Sequence, residues 1–177
     1  FTKISNAGNP LPSTAALGGG ANDWACTFDN VTGLMWEVKT TDGGLRYQAH
    51  TYSWFSSDGG NNGGATGTTN GGTCAPAGNC DTEKYTVLIN TSLTGLCGHK
   101  DWRMPHLKEL ESIVDRGGIY PAIDGAYFPN TPASFFWAGT PYAASPADAW
   151  YVDFSTGQVL YGGRSFGYRV RLVRAGP

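Results

Sequence analysis

The sequence predicts one α+β domain braced by disulfides, and three observations carry that reading. Two short helical patterns lie in the middle of the chain, strand-like runs follow them, and the four cysteines show no metal-ligand spacing. A length of 177 residues suits a single domain with a substantial core. Residues 23–177 form that domain, and residues 1–22 read as an N-terminal arm or wrap.

The first 22 residues are rich in Gly, Pro, Ala and Asn and lack apolar periodicity, which excludes a helix. From Trp24 the side chains alternate through Cys26 and Phe28; Asp29 and Asn30 interrupt, and Leu34, Trp36 and Val38 alternate again. Two short strands around a turn are expected. Residues 46–55 carry Tyr47, Tyr52, Trp54 and Phe55, a pattern equally compatible with a short helix and an extended segment. Residues 56–78 are nearly all small or polar, so a long, mobile surface excursion is expected. Asp81 caps a helix whose Tyr85, Leu88 and Ile89 share a face. A second helix opens at Pro105, buries Leu107, Leu110, Ile113 and Val114, and ends at Gly117 and Gly118. Beyond Pro132, runs at 135–138, 149–154, 157–161 and 168–173 read as strands of an antiparallel meander, giving helices on one side of a twisted sheet.

An even number of cysteines in a chain of low charge points to two disulfides and an oxidising compartment. Three pairings are open. The turn-rich residues 75–79 favour Cys74–Cys80, which leaves Cys26–Cys97 to close a long loop. The chain begins at Phe1, which fits a mature secreted form.

Charged residues make up 15% of the chain and aromatics 13%, with 26 glycines. That palette suits an extracellular binding surface, where aromatic rings give contact area with few rotors to freeze. The net charge of −2 gives no overall attraction to nucleic acid, although Arg164, Arg169, Arg171 and Arg174 form a potential local basic stripe. No apolar run is long enough to span a bilayer.

Catalytic patterns fail on context. Residues 163–167 (GRSFG) match a nucleophile elbow, but a strand follows the serine and no histidine lies beyond His106. A turn between strands is expected instead. Asp101, Trp102 and Arg103 read as scaffold, with Trp102 in the core and its charged neighbours paired. Asp115, Asp124, Asp148 and Asp153 are oxygen donors, but their scatter offers little to a structural calcium; no metal or cofactor site is expected. In the runs 135–137 and 150–151 adjacent side chains alternate faces, so one of each aromatic pair is expected to lie outside the core.

Five segments in order, residues 32–37 (TGLMWE), 101–110 (DWRMPHLKEL), 121–129 (PAIDGAYFP), 149–154 (AWYVDF) and 168–174 (YRVRLVR), resemble the C-terminal domain family of the Legionella collagen-like adhesin. The resemblance spans roughly residues 24–174. It implies a C-type-lectin-like fold of the formylglycine-generating-enzyme branch, export to the cell surface, and adhesion. The cysteine chemistry of that branch is not expected, since no cysteine follows Cys97. By analogy with variable members of this fold, the ligand face would comprise Phe136, Trp137, Tyr142, Trp150, Tyr151, Asp153, Tyr161, Arg164 and Tyr168. The expected function is non-catalytic binding of a carbohydrate or surface protein, with self-association. The alternative is a structural subunit of a bacterial surface filament or sheath assembled through residues 1–22.

Overall fold

The structure is a computed structural model that describes residues 1–118 and 120–176. Ile119 and Pro177, the last residue of the expected domain, lie outside the described residues. Among the described residues, two antiparallel sheets and two helices make up the α+β fold. The first sheet has the order β2-β1-β3-β4-β8, with β1 Thr2–Ser5, β2 Pro10–Leu11, β3 Trp24–Phe28, β4 Leu34–Glu37 and β8 Val173–Ala175. The second is the meander β5 Phe135–Pro141, β6 Asp148–Asp153 and β7 Gln158–Gly163. Both disulfides form, Cys26–Cys97 across 71 residues and Cys74–Cys80 across 6.

Local chemistry sets the boundaries. The turn between β3 and β4 is closed by Asp29, whose carboxylate accepts from the Val31 N–H at 2.9 Å and the Thr32 hydroxyl at 2.7 Å. Gly33 then takes a φ of +72°, which a side chain would resist. Helix α1, Thr82–Thr91, is capped by Asp81, which accepts from the Lys84 N–H at 2.9 Å, and it buries Tyr85 and Ile89. Helix α2, Leu107–Ser112, starts later than Pro105 because Glu109 folds back to accept from the His106 N–H at 2.7 Å. It also stops before Gly117, where Ile113 leaves helical geometry and Val114 donates to the Glu111 carbonyl.

The expected single sheet is corrected to two. Of the last run only Val173 lies in a strand, which extends to Ala175 and joins β4 in the first sheet. Residues 168 and 169 bridge the sheets instead: Tyr168 exchanges two backbone hydrogen bonds with Tyr52, and Arg169 bonds Phe135 and Trp137 of β5. Residues 51–55 run extended against this seam, whereas residues 45–49 form turns, so residues 46–55 hold no helix. The N-terminal residues wrap onto their own domain, with β1 an inner strand between β2 and β3.

The second sheet packs a core against each face, while much of β7 stays exposed. One face sends Trp137, Ala149 and Tyr151 into a core shared with Trp54, Tyr85 and Trp102. The other sends Phe136, Ala138 and Val152 into a second core with Trp36, Leu110 and Phe128. A middle-layer sheet can bury adjacent residues of one strand, so Phe136 and Trp137 are both fully buried. The expectation that one of them lies outside the core is corrected for that reason.

Candidate functional site

The nine residues of the expected ligand face do not form one surface. Phe136, Trp137 and Tyr151 belong to the two cores. Asp153 is buried and turns its carboxylate to the Ser155 N–H and hydroxyl and the Thr156 hydroxyl, closing the turn after β6. Tyr168 is half-buried, its ring centroid 4.5 Å from that of Trp137.

Arg164 is also buried, because the Gly-rich excursion needs it. Its guanidinium donates to the carbonyls of Asn62 (2.9 Å) and Ala65 and, from Nε, to Asp148 at 3.0 Å; it lies 4.1 Å above the Trp54 ring. Residues 62 and 65 belong to the excursion, so the composition that predicts a free loop coexists with a fixed internal anchor. Phe55 and Gly67 bridge across its base, and the Ser57 N–H donates to Glu83 at 2.7 Å.

The basic stripe is corrected on similar grounds. Arg171 is fully buried and donates to the Glu37 carbonyl at 2.7 Å and the Thr131 hydroxyl at 2.6 Å, and burial lowers its pKa to about 10. Arg174 pairs with Asp101 at 2.7 Å. Arg169, half-buried, donates to the Gln48 carbonyl and the Ser134 hydroxyl. These cations hold the fold together and leave little for an anionic ligand. The Asp101-Trp102-Arg103 segment is scaffold as expected: Trp102 is buried, and Arg103 grips Glu109 through two hydrogen bonds.

Tyr142, Trp150 and Tyr161 remain, and they meet at the margin of the second core, on the face of the second sheet that also carries Val152. Trp150 and Tyr161 are directly opposed in the β6–β7 register. The Tyr142 and Tyr161 rings stack with centroids 4.0 Å apart and planes within 8°, and the Trp150 ring stands edge-on to both, at 5.1 and 5.8 Å. Such pairs fix one another's rotamers and hold the ring faces ready for contact. Tyr161 is 51% exposed, whereas Tyr142 and Trp150 are half-buried. Desolvation, then Tyr161, then Asp148 raises the Tyr142 hydroxyl pKa above its ordinary value.

Sequence reasoning missed a second exposed apolar set on the opposite face of the same sheet. Phe135, Leu160 and Phe166 are 36, 38 and 53% exposed, and the Phe135 and Phe166 rings flank Tyr168 at 5.1 and 5.9 Å. The signal was present in Phe166, a large aromatic inside the 163–167 turn. That segment is the expected turn, with the Phe166 N–H donating to the Gly163 carbonyl. A shallow cleft of about 200 Å³ lies between α1 and residues 54–61, walled by Phe55, Val87 and Met104. Arg103 and Glu83 at its rim are already held, by Glu109 and Ser57.

Among the described residues no three His, Cys, Asp or Glu side chains come together as a metal site. Asp115 and Asp124, like Asp153, accept backbone N–H bonds within their own turns. Among the described residues, no helix is long and apolar enough to cross a membrane.

With this geometry in place, the comparison with known proteins is direct. The Lcl C-terminal domain family matches residues 25–174, and the chain belongs to that family. No curated protein and no solved structure matches the chain.

Proposed function

We propose that this domain is an extracellular, non-catalytic adhesin module that binds a neutral saccharide on the Tyr142–Trp150–Tyr161 triad. One observation carries the reading: three mutually braced aromatic rings stand together at the surface, with Tyr161 the most open of them. A pyranose ring offers a face of C–H bonds that packs flat on an aromatic face. Its equatorial hydroxyls project sideways, where the two tyrosine hydroxyls and the half-exposed Asp148 can exchange hydrogen bonds. The buried arginines favour an uncharged sugar over a sulfated one, since Arg164, nearest in sequence to the triad, is buried and turned inward to the carbonyls of Asn62, Ala65 and Asp148. Adhesion agrees with the family, and two disulfides suit an oxidising exterior.

The filament alternative draws less support. Residues 2–5 are an inner strand of their own sheet, and exchanging them into a neighbour would first break that pairing. The test of the saccharide reading is a glycan array probed with the native domain, Tyr161→Ala and Trp150→Ala. Binding to neutral glycans that both substitutions abolish is expected. Binding confined to sulfated glycans, or indifferent to both substitutions, overturns the reading.

A further inference from the structure

Each sheet has edges, and an uncovered edge is a template for another strand. In the first sheet one edge is β2, two residues long and opened by Pro10, and the other is β8, whose Val173 exchanges both backbone hydrogen bonds with Arg103. In the second sheet β5 is covered by Arg169, which bonds Phe135 and Trp137. The remaining edge, β7, runs six residues as QVLYGG without a charge, a proline or a bulge. Among the described residues no segment other than β6 bonds the backbone of Val159, Leu160, Tyr161 or Gly162.

The register says which groups are free. The Arg164 N–H donates to the Ala147 carbonyl, and an antiparallel ladder alternates from there. Leu160 and Gly162 therefore direct their N–H and C=O toward β6, while Val159 and Tyr161 direct theirs outward. We infer that β7 pairs with β7 of a second copy, antiparallel about a two-fold axis at Leu160. In that register Val159 faces Tyr161 of the other copy and Tyr161 faces its Val159, so all four outward groups on each strand are satisfied reciprocally. The two Leu160 side chains meet on the axis in a non-hydrogen-bonded pair, where side chains approach most closely. The Val159–Tyr161 pairs lie on the opposite face, a β-branched residue against an aromatic one.

The occupant follows from the register, which matches β7 to itself, together with the absence of charge. A two-fold interface sets each residue against its own equivalent or a near neighbour, so any charge on the strand would meet itself. β7 carries none, so pairing with its own equivalent opposes no like charges. An axis perpendicular to the sheet keeps the same face of both copies on the same side. The dimer consequently places two Tyr142–Trp150–Tyr161 triads side by side; that consequence alone rests on the saccharide reading, and it would make binding bivalent.

The experiment is sedimentation of the full disulfide-bonded chain over a wide concentration range. Wild type should approach twice the 18.8 kDa mass of one chain, and Leu160→Lys, which opposes two cations on the axis, should remain at one. Circular dichroism and intact disulfides confirm that the variant is folded. Leu160→Cys should crosslink to itself on mild oxidation while Gln158→Cys does not, which reads the register. A wild type monomeric at the highest concentrations, a Leu160→Lys dimer, or a β7 that takes up an extended peptide in place of a second copy overturns the proposal. Loss of glycan binding with the dimer intact would strike the saccharide reading and leave this one standing.

Discussion

Lys39 holds its ammonium 2.8 Å from a carboxylate oxygen of Glu37, with both side chains inside the core. The same carboxylate accepts from the Tyr85 hydroxyl and, at 2.9 Å, from the Leu172 N–H, while the Glu37 carbonyl accepts from Arg171. Residue 37 closes the 32–37 segment and residues 171–172 lie in the last one, so a single buried anion joins the two ends of the family pattern.

Removing that anion strands two buried cations. Glu37→Gln keeps the shape but leaves Lys39 and Arg171 without a counter-charge, and it should cost about 3–5 kcal/mol of stability. Urea denaturation checks this; a loss below about 1 kcal/mol would show that the cluster reorganises freely.

Lys39 also gives the fold a pH dependence. Burial, only partly offset by Glu37, lowers its pKa from 10.5 to about 8. Between those values the unfolded chain holds a proton that the folded one has released, so stability rises with pH in that window. From pH 8 to about pH 9.5 the Lys39 contribution should be about 2 kcal/mol and should vanish in Lys39→Met. Tyr52 and Tyr85 act in the opposite sense above pH 10, since burial keeps their hydroxyls protonated in the folded state. The pH profiles of unfolding midpoint of the wild type and Lys39→Met separate these effects.

The disulfides should contribute unequally. Opening Cys26–Cys97 with paired alanines frees a closed loop across 71 residues, a loss of about 4 kcal/mol in the chain-entropy model. Opening Cys74–Cys80 should cost about 2 kcal/mol and loosen chiefly residues 70–80. Thermal unfolding of the two double variants gives the order directly, and the reverse order would contradict the packing of Cys26 and Cys97 in the first core.

Arg164 is the anchor of the Gly-rich excursion. Arg164→Lys retains the charge but loses the planar fork that reaches three carbonyls, so amide exchange of residues 58–66 should rise at least tenfold while α1 stays protected. Exchange unchanged in the excursion would mean that the Phe55–Gly67 bridge and Ser57–Glu83 contact suffice.

Much of the fold was legible because its signals are local. The Asp81 cap, the alternation at Trp24–Phe28 and Leu34–Glu37 and the turn-rich ring between Cys74 and Cys80 each need only a few neighbouring residues. What failed to show was layering. Whether Phe136 and Trp137 face one core or two depends on how residues 168–173 cross between sheets, a contact set by distant parts of the chain. The same blindness affected the arginines: Arg164 and Arg171 have the composition of a ligand surface, but their carbonyl partners at residues 62, 65 and 37 are remote in sequence. Of the expected ligand face, the triad alone escaped both effects, as its members come together within one local meander.

The most direct test of the binding account is the footprint of a neutral oligosaccharide on the isotope-labelled domain. The account predicts shifts concentrated on the Tyr142, Trp150 and Tyr161 side chains and the Asp148 amide, lost in Tyr161→Ala while the rest of the spectrum is preserved. A footprint in the Phe55–Val87–Met104 cleft, or saturating binding that leaves the three rings unmoved, would contradict it.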